Sequence, residues 1–253
     1  MLASERYAKI NAILKERGFA KVEELSGMLN VSDMTIRRDL EKCQKAGMLQ
    51  RCHGGAVLVG ISQQELSFDD KSIEKTEIKK QIAQVCATLV KEGMTVFLDS
   101  GTTCYEIAQM IRTVSRITII TNDIRIGHSL LNSSTQLLLI GGAVQTSTGS
   151  IIGQMANSML SQMHTDIAFL GANSINEKLD VTTPTIEKAF FKRQARVCAS
   201  VSYLVADDSK FHRNALHKVN NLGEYAGVIT NYNFKGWEES IVKKNKINVI
   251  LVN

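Results

Sequence analysis

The sequence predicts an α/β protein of two parts, a small helical N-terminal domain followed by a larger α/β domain. In the first sixty residues, short helical patterns are separated by turns and followed by a pair of glycines, Gly54 and Gly55, between apolar residues. After Gly93, short apolar runs alternate with helical patterns to the end of the chain. Strands that are apolar throughout and separated by helices are typical of a mostly parallel sheet covered on both faces.

The composition is that of a globular protein with a modest basic excess. The chain has 253 residues, 44% of them hydrophobic, and a formal net charge of +5. The excess is denser in the first sixty residues, but alone it does not indicate nucleic acid. Five widely spread cysteines without a C-x-x-C pair suggest reduced thiols in a cytoplasmic protein. No signal core or apolar run of transmembrane length is present, so we expect no membrane partner.

Two short helices are predicted ahead of a third. Ser4 begins a helical pattern that Gly18 ends, and after a short extended piece a second pattern begins at Val22. The apolar faces of these two patterns contain Tyr7, Ile10, Ile13 and Leu14 in the first, and Val22, Leu25 and Leu29 in the second. The turn at residues 30–32 then leads into the third helix, which Gly47 ends, so residues 22–47 form a helix-turn-helix.

The third helix has the pattern of a DNA-reading helix. Ser32 is a good N-cap, because its hydroxyl can accept a hydrogen bond from a first-turn amide. Ile36, Leu40 and Cys43 form one apolar stripe. The opposite face carries Met34, Thr35, Arg37, Arg38 and Glu41. Arginine can bind guanine in a bidentate way, and threonine can contact a phosphate or a thymine methyl group. A surface helix with solvated arginines is the alternative.

Residues 48–58 predict a two-stranded β-ribbon, the wing of a winged helix. Gly54 and Gly55 would supply the positive φ angles of the turn. Arg51 and His53 would then lie near the phosphate backbone or the minor groove. The pair Cys52-His53 lacks further ligands at zinc spacing, so we predict no metal and no cofactor.

These residues resemble the DNA-binding domain of the DeoR family of bacterial transcriptional regulators. The resemblance implies that residues 1–58 form a winged helix-turn-helix domain that binds operator DNA. It rests on Glu24-Leu25, Val31-Ser32, Thr35-Ile-Arg-Arg-Asp-Leu40, Gly47, Leu49, Arg51 and His53-Gly-Gly-Ala56.

A polar stretch predicts a linker at residues 59–73, followed by the large domain at 74–253. Ser72 opens a long amphipathic pattern that Gly93 ends, with Ile78, Ile82, Val85 and Leu89 on its buried side. Strands are predicted at 94–98, 117–120, 136–140, 167–170, 201–206, 228–230 and 249–252, and helices near 103–112, 124–131, 154–162 and 186–199. In such sheets, ligands bind at the carboxyl ends of the strands.

The first of these strand ends predicts a phosphate-binding loop. It reads Asp99-Ser100-Gly101-Thr102-Thr103 and runs directly into a helix. Glycine permits a tight turn, and the amides of a helix N-terminus favour an anion. An ordinary N-cap and turn also contains Ser, Thr and Asp, so both interpretations stay open at this point.

Other strand ends add polar groups suited to a polyhydroxylated anion. They carry Thr121, Asn122 and Asp123, then Gly141 and Gly142, then Asp207, Asp208 and Lys210. The lysine could bind a phosphate or a sugar oxygen, and Asp123 and Asp207 could accept sugar hydroxyls. Helix N-capping is the alternative for the aspartates. No oxygen-rich spacing typical of a metal site follows them.

This second half also resembles the DeoR family, over about residues 75–253. That implies a sugar-phosphate sensor with a fold like ribose-5-phosphate isomerases and CoA transferases, a phosphate-binding loop at residues 100–103 and the family's lysine at Lys210. The resemblance rests on Asp99-Ser-Gly-Thr-Thr, Thr121-Asn122, Gly141-Gly142, Gly153, Asp166, Phe169, Gly171, Thr182-Thr183 and Asp208-Ser-Lys-Phe211. The sequence departs at Leu179-Asp180-Val181, where relatives more often have glycine-leucine.

Three functional hypotheses follow. The first is a homo-oligomeric transcriptional repressor of a sugar-metabolism operon, released from its operator by a phosphorylated sugar. The second is an enzyme like a sugar-phosphate isomerase with a DNA-binding appendage. Such an enzyme needs a positioned base. Glu106 and Glu187 are candidates only because they lie near the motifs, and both can be surface residues of a helix. Since fold alone does not fix function, we predict no catalytic residue. The third is a DNA-associated scaffold without a ligand, which leaves the polar strand ends unexplained.

Overall fold

The computed structural model describes residues 2–17, 19–46, 48–52, 54–58, 68, 72 and 74–253. Its N-terminal part contains three helices and a small antiparallel sheet with strand order β1-β3-β2. The elements are α1 (Ala3–Arg17), β1 (Phe19–Lys21), α2 (Val22–Leu29), α3 (Asp33–Lys45), β2 (Leu49–Cys52) and β3 (Gly55–Leu58). The predicted helix-turn-helix with its wing is therefore confirmed.

Helix α3 begins where the N-cap pattern predicts. The backbone N–H of Thr35 donates to Ser32 Oγ over 3.3 Å. The stripe Ile36, Leu40 and Cys43 is buried and packs with residues of α1 and α2 in one core. Burial of an amphipathic face supplies most of the stability of so short a helix.

The wing differs from the prediction in two details. Strand β1 joins the ribbon through antiparallel pairing with β3, in which Ala20 lies opposite Ala56. Of the glycine pair, Gly54 has the positive φ, 78°, whereas Gly55 is the first residue of β3. The predicted helix ends Gly18 and Gly47, and His53, lie outside the described residues.

The large domain contains a seven-stranded sheet in which every neighbouring pair is parallel. The strand order is β15-β14-β12-β9-β4-β5-β6. The strands are β4 (Thr95–Leu98), β5 (Thr118–Thr121), β6 (Gln136–Leu139), β9 (Thr165–Gly171), β12 (Ala199–Val205), β14 (Gly227–Thr230) and β15 (Val249–Leu251). The helices are α4 (Thr76–Leu89), α5 (Thr102–Ile111), α6 (Ile124–Ser129), α7 (Gln154–Ser161), α8 (Ile186–Val197) and α9 (Trp237–Lys244).

Helices cover both faces of this sheet. Val96 and Leu98 of β4 pack in one core with Ile107 of α5. Phe97, between them in sequence, packs in a second core with Phe191 of α8. Because side chains alternate across a strand, the apolar strands serve both cores. The mostly parallel α/β sheet predicted from the sequence is confirmed.

Three regions of the large domain were predicted incorrectly or not at all. Helix α4 begins at Thr76 and not at Ser72, because Lys75 has a left-handed φ of 55° that a continuous helix does not permit. Between the strand predicted at 136–140 and the helix predicted near 154–162 lies an unpredicted hairpin, β7 (Ala143–Gln145) with β8 (Ser150–Ile152). A further antiparallel sheet joins β10 (Ser174–Ile175), β11 (Asp180–Thr183) and β13 (His217–Asn221). Strands this short carry little periodic signal.

Leu179, at the departure from the family pattern, has a left-handed φ of 59°. Such a conformation costs a non-glycine residue about 1–2 kcal/mol. Leu179 is nevertheless fully buried in the core that contains Phe191, and burying a leucine stabilises by about 1.5–3 kcal/mol. Side-chain burial therefore offsets the backbone strain. The domain limits 1–58, 59–73 and 74–253 stay predictions.

Candidate functional site

Three of the predicted DNA-reading residues lie on the exposed face of α3. Arg37 and Arg38 are exposed, and the Met34 side chain is 61% exposed although it is apolar. Thr35 is half-buried, and its hydroxyl lies 3.0 Å from the Ser32 hydroxyl. Ser32 therefore shapes the helix start, whereas Met34 and the two arginines are open to a partner.

An ion pair that the sequence analysis missed fixes the opposite side of α3. Arg6 of α1 binds Asp39 in a bidentate way, with Nε 2.6 Å from Oδ2 and Nη2 3.1 Å from Oδ1. Asp39 is 4% exposed. Bidentate guanidinium–carboxylate pairs are geometrically specific, so this one sets the orientation of α3 on α1. Arg51 on β2 is half-buried, and its backbone N–H donates to Gln44 Oε1 over 3.3 Å.

The strand order of the large domain places a crevice between β4 and β9. From β4 the chain proceeds to β5 and β6 in one direction, and from β9 to β12, β14 and β15 in the other. Such a topological switch point is where open α/β sheets bind ligands, at the carboxyl ends of the strands. Asp99 follows β4 at this point, and Gly171 ends β9. The predicted loop at residues 99–103 therefore lies at the switch point.

Asp99 and Lys192 form a buried ion pair across the crevice. Asp99 is 1% and Lys192 6% exposed, and Lys192 Nζ donates to Asp99 Oδ2. The same Nζ donates to the Gly171 carbonyl over 2.9 Å, and the Gly171 N–H donates to Asp99 Oδ2 over 3.0 Å. Asp99 thus joins the ends of β4 and β9 and is occupied by structural contacts.

The loop after Asp99 presents its backbone at the start of α5. Gly101 is the N-cap, with a φ of 133°, and open space surrounds the position of an added Cβ. A glycine N-cap has no side chain to satisfy the first amides of the helix. Ser100 and Gly101 are half-exposed, whereas Thr102 and Thr103 are buried. An anion could therefore approach the loop through Ser100 and Gly101.

Asp123 supports this loop from the end of β5. Its Oδ2 accepts from the Gly101 N–H over 3.1 Å, while its Oδ1 caps α6 by accepting from the N–H of Arg125 over 2.8 Å. Burial raises the pKa of Asp123 above its ordinary value, although these hydrogen bonds oppose the rise. The N-capping interpretation of Asp123 is therefore confirmed.

Asn122, the residue before it, keeps an unused acceptor. Asn122 is 1% exposed, and its Nδ2 donates to the Ile151 carbonyl over 3.1 Å. Among the described residues, its buried Oδ1 accepts no hydrogen bond. The Thr121 hydroxyl accepts from the Asp123 N–H over 3.1 Å. A buried acceptor without a donor is costly, and a ligand hydroxyl would satisfy it.

Gly141 and Gly142 follow the edge strand β6, two strands from β4, or about 10 Å at the usual strand spacing. Gly142 has a φ of 149°, and an added Cβ would lie 3.1 Å from the Ile152 carbonyl oxygen. Close packing under the β7–β8 hairpin therefore explains this glycine. Gly141 is exposed and has open space for a Cβ.

A second group of charges follows β12, the neighbour of β9. Asp207 is 1% exposed, and its Oδ1 accepts from the Ser209 N–H over 2.9 Å. Its buried Oδ2 accepts no hydrogen bond from the described part of the chain. Burial acts to raise the pKa of Asp207, but the charges of Lys210 and Lys79 and the bond from Ser209 lower it. Asp207 is thus an ionised N-cap with one free acceptor.

Three buried lysines were missed by the sequence analysis. Lys79 of α4, and Lys188 and Lys192 of α8, are 2%, 3% and 6% exposed. Lysines are almost never so buried unless they are paired. Lys188 Nζ donates to Thr148 Oγ1 over 3.4 Å, in the turn between β7 and β8. A signal was present, because Lys188 and Lys192 fall on the apolar face of an amphipathic helix, one turn apart.

Lys79 should make the stability of the protein depend on pH. Burial, and next the charge of Lys210, lower the pKa of Lys79 from 10.5 to about 8. Between these values Lys79 binds more protons in the unfolded state than in the folded state, so its contribution to the free energy of unfolding rises with pH. At about 1.4 kcal/mol per pH unit, the contribution of Lys79 rises by about 3 kcal/mol from pH 8 to pH 10.5, whereas the buried thiols of Cys86 and Cys104, whose pKa is raised by burial, contribute in the opposite direction above pH 9. Urea unfolding at both pH values measures the net change.

Lys79→Met should reduce the change in the free energy of unfolding between pH 8 and pH 10.5 by about 3 kcal/mol relative to the wild type, because the buried titrating group is gone. Lys80→Met is the matched control, since Lys80 is the next residue on α4 and pairs with Glu77 at the surface. Equal pH slopes in the wild type and in Lys79→Met would contradict the assignment.

Other classes of site are not found in the described parts of the chain. No group of His, Cys, Asp and Glu there could hold a metal ion. Cys43, Cys86, Cys104 and Cys198 are free and buried. No described helix is long and apolar enough to cross a membrane.

The chain is similar to known transcriptional regulators along nearly its whole length. Residues 6–61 match the DeoR-like helix-turn-helix domain, and residues 74–232 match the DeoR C terminal sensor domain. The chain is 32% identical to the lactose phosphotransferase system repressor of Staphylococcus epidermidis, over 96% of this chain and 95% of that protein. It is 33% identical to the HTH-type transcriptional regulator GlpR of Haloferax volcanii, over 91% and 90% of the two chains.

Solved structures resemble the chain more distantly. Ribose 5-phosphate isomerase A from Methanocaldococcus jannaschii has a TM-score of 0.40 and 18% identity, and the match covers 55% of each chain. The delta subunit of eIF2B from Chaetomium thermophilum has a TM-score of 0.46 and 14% identity, covering 81% of this chain and 66% of that one. These likenesses do not bear on function.

Proposed function

Because this chain belongs to the DeoR family of DNA-binding transcriptional regulators, we propose that it represses a sugar-metabolism operon and releases its operator when it binds a phosphorylated sugar. The effector would bind in the crevice at the β4–β9 switch point. The two relatives described above are named as a repressor of a lactose phosphotransferase system and as a transcriptional regulator. Those names support the proposal but do not identify the sugar.

The observation that carries the proposal is the mixture of cations and unused acceptors at the strand ends. Lys79, Lys188 and Lys192 are buried there, and Lys210 is half-buried beside Asp207. Ammonium groups and the amides of a helix start favour a phosphate. The unused oxygens of Asn122 and Asp207 can accept from hydroxyls, which act as donors. A phosphorylated sugar supplies both kinds of group, whereas inorganic phosphate supplies only one.

We expect the phosphate near Ser100 and Gly101, with Lys210 assisting, and the sugar hydroxyls toward Asn122 and Asp207. Thr102 and Thr103 contribute through the backbone of the α5 start, since their side chains are buried. For ligand to release DNA, it must bind the DNA-incompetent arrangement better. Such coupling is typically about 1–3 kcal/mol and is reciprocal, so operator DNA should weaken effector binding by the same factor.

A panel of sugar phosphates tests the effector. We would measure the thermal stability of the wild type with ribose 5-phosphate, fructose 1-phosphate, fructose 6-phosphate, glucosamine 6-phosphate and glycerol 3-phosphate, and with the matching unphosphorylated compounds. A ligand that binds only the folded state raises its apparent stability. We expect at least one phosphorylated compound to stabilise the protein and to release DNA selected from a random duplex pool. Equal effects of phosphorylated and unphosphorylated compounds would refute the phosphate site.

Arg37 and Arg38 should carry most of the DNA affinity of α3. An arginine that reads a base should cost about 1–3 kcal/mol when replaced by alanine and should relax sequence preference, whereas a phosphate contact should weaken all sequences alike and flatten the salt dependence. Titrations of Arg37→Ala and Arg38→Ala on selected DNA at several salt concentrations distinguish the two roles. Lys45→Ala, at the end of the helix and paired with Glu41, is the control. Unchanged affinity in both arginine variants would contradict the predicted interface.

The enzymatic alternative has weaker support. Glu187 is exposed in the first turn of α8, and Glu106 is half-buried on α5, so neither is a buried carboxylate. We therefore propose a sensor without turnover, and prolonged incubation with ribose 5-phosphate should yield no isomerised product.

We also propose that the protein acts in the cytoplasm as a homo-oligomer, because one winged helix offers a small DNA interface and operators are usually read as two half-sites. Light scattering with and without DNA measures the oligomeric state.

A further inference from the structure

Phe68 is attached to the large domain at three points. It lies between residue 61, where the helix-turn-helix match ends, and residue 74, where the sensor match begins. Its ring lies edge-on to the ring of Tyr105, with centroids 5.8 Å apart. The Arg125 guanidinium lies over the same ring, 4.5 Å from its centroid. Its backbone N–H donates to the Ser147 carbonyl over 3.4 Å.

The two side chains that hold Phe68 lead directly to the Ser100–Gly101 loop. The backbone N–H of Tyr105 donates to the Gly101 carbonyl over 2.9 Å. The N–H of Arg125 donates to Asp123 Oδ1, and the other oxygen of that carboxylate accepts from the Gly101 N–H. Tyr105 is therefore one hydrogen bond from the Gly101 carbonyl, and Arg125 is two hydrogen bonds, through Asp123, from the Gly101 N–H.

The third contact leads to the same loop through the β7–β8 hairpin. Ser147 lies in its turn, and Ser150 begins β8. The Ser100 hydroxyl donates to the Ser150 hydroxyl over 3.0 Å. Three separate elements, α5, α6 and the hairpin, thus connect one aromatic ring to the loop that we assign to the phosphate.

The position of Phe68 in the chain links its contacts to the DNA-binding domain. Any covalent connection between the DNA-binding and sensor domains passes through residue 68. A shift of the Ser100–Gly101 loop moves the surroundings of Phe68, because Tyr105 is hydrogen-bonded to Gly101, and Arg125 is connected to Gly101 through Asp123. Ser147 is three residues before Ser150, which binds Ser100. Packed side chains with discrete arrangements transmit such shifts.

We propose that Phe68 is the positioning residue that transmits effector binding from the Ser100–Gly101 loop to the DNA-binding domain. This inference rests on the proposed function, since it assigns the regulation of the same site. The ring is an aromatic anchor between α5 and α6, and occupation of the loop changes how it is held. The three contacts of Phe68 described above involve none of the predicted effector-binding or DNA-reading residues.

Phe68→Ala in the full-length protein separates coupling from binding. We expect its affinity for selected DNA and for the most stabilising sugar phosphate of the panel to stay within about threefold of the wild type. Saturating sugar phosphate should weaken DNA binding by about 10-fold or more in the wild type, within the usual range of allosteric coupling, but by less than about 3-fold in Phe68→Ala. A purely structural role would lower the melting temperature without this selective loss.

Phe190→Ala is the matched control. Phe190 is 54% exposed, and it also lies under an arginine, with Arg193 5.4 Å from its ring centroid, but it is on α8, away from Tyr105 and Arg125. We expect this variant to release DNA as the wild type does. Tyr105→Phe, which keeps the ring that Phe68 contacts, should also keep full release.

A spectroscopic measurement supplies a second readout. Trp237 is the sole tryptophan of the chain, so Trp237→Phe combined with Phe68→Trp places one fluorophore at the anchor. We expect the sugar phosphate to change its emission. Normal DNA release by Phe68→Ala, or an unchanged emission at saturating ligand, would overturn the inference and leave the proposed function intact. Failure of the wild type to bind any sugar phosphate would overturn both.

Discussion

Replacing Lys192 by methionine should lower the free energy of unfolding of the sensor domain by about 3–5 kcal/mol, the range measured when one partner of a buried ion pair is removed. Lys192 and Asp99 are almost completely buried. Methionine has a similar length, so little packing is lost, but the Asp99 carboxylate stays buried without its cation. Urea unfolding monitored by the fluorescence of Trp237, which lies in the same domain, measures the change.

Two comparisons isolate the charge effect. Lys243→Met removes a lysine whose ion pair with Glu239 lies at the surface, and exposed pairs contribute only about 0–1 kcal/mol. The double variant Lys192→Met with Asp99→Asn removes both charges and should recover part of the loss. If Lys192→Met is no less stable than Lys243→Met, the ion pair does not hold the ends of β4 and β9 together.

Replacing Ser100 by aspartate should produce a protein that holds its operator at all effector concentrations. Ser100 is half-exposed at the start of the loop, and a carboxylate there would meet the phosphate as a like charge. It would also replace a hydroxyl that binds Ser150. The variant loses the hydroxyl contact to the phosphate and gains a charge repulsion. Together these should weaken effector binding by about 100-fold or more, or about 3 kcal/mol. Calorimetric titration and DNA release at graded effector concentrations measure this.

Folding and charge need separate controls for this variant. Ser240→Asp adds the same charge at an exposed serine of α9 and should leave both effector binding and DNA release unchanged. The DNA affinity of Ser100→Asp without effector should equal that of the wild type, because α3 belongs to the other domain. Release at the wild-type effector concentration would mean that the phosphate binds elsewhere.

The local signals in the sequence were sufficient for the helices, for the strands of the parallel sheet and for the position of the loop. An N-cap serine followed by an apolar stripe predicts α3, because capping and burial of one helix face act within a dozen residues. Uniformly apolar runs between helical patterns predict the parallel sheet, since both of its faces must be covered. The strand-end motif at residues 99–103 was predictable because glycine and hydroxyl residues in such a turn have a local chemical meaning.

The composition of the site was decided by the tertiary structure. Lys192 reaches Asp99 from 93 residues away, and Lys79 lies near Asp207 across most of the domain's sequence. No local periodicity encodes such partners, because they depend on the order in which strands enter the sheet. The same order creates the β4–β9 switch point and places β4 beside β5, so that the helices that follow these two strands, α5 and α6, both contact Phe68. The sequence by itself thus determined the helices, the strands of the parallel sheet and the position of the polar turn; the long-range packing of the strands decided which buried charges face that turn.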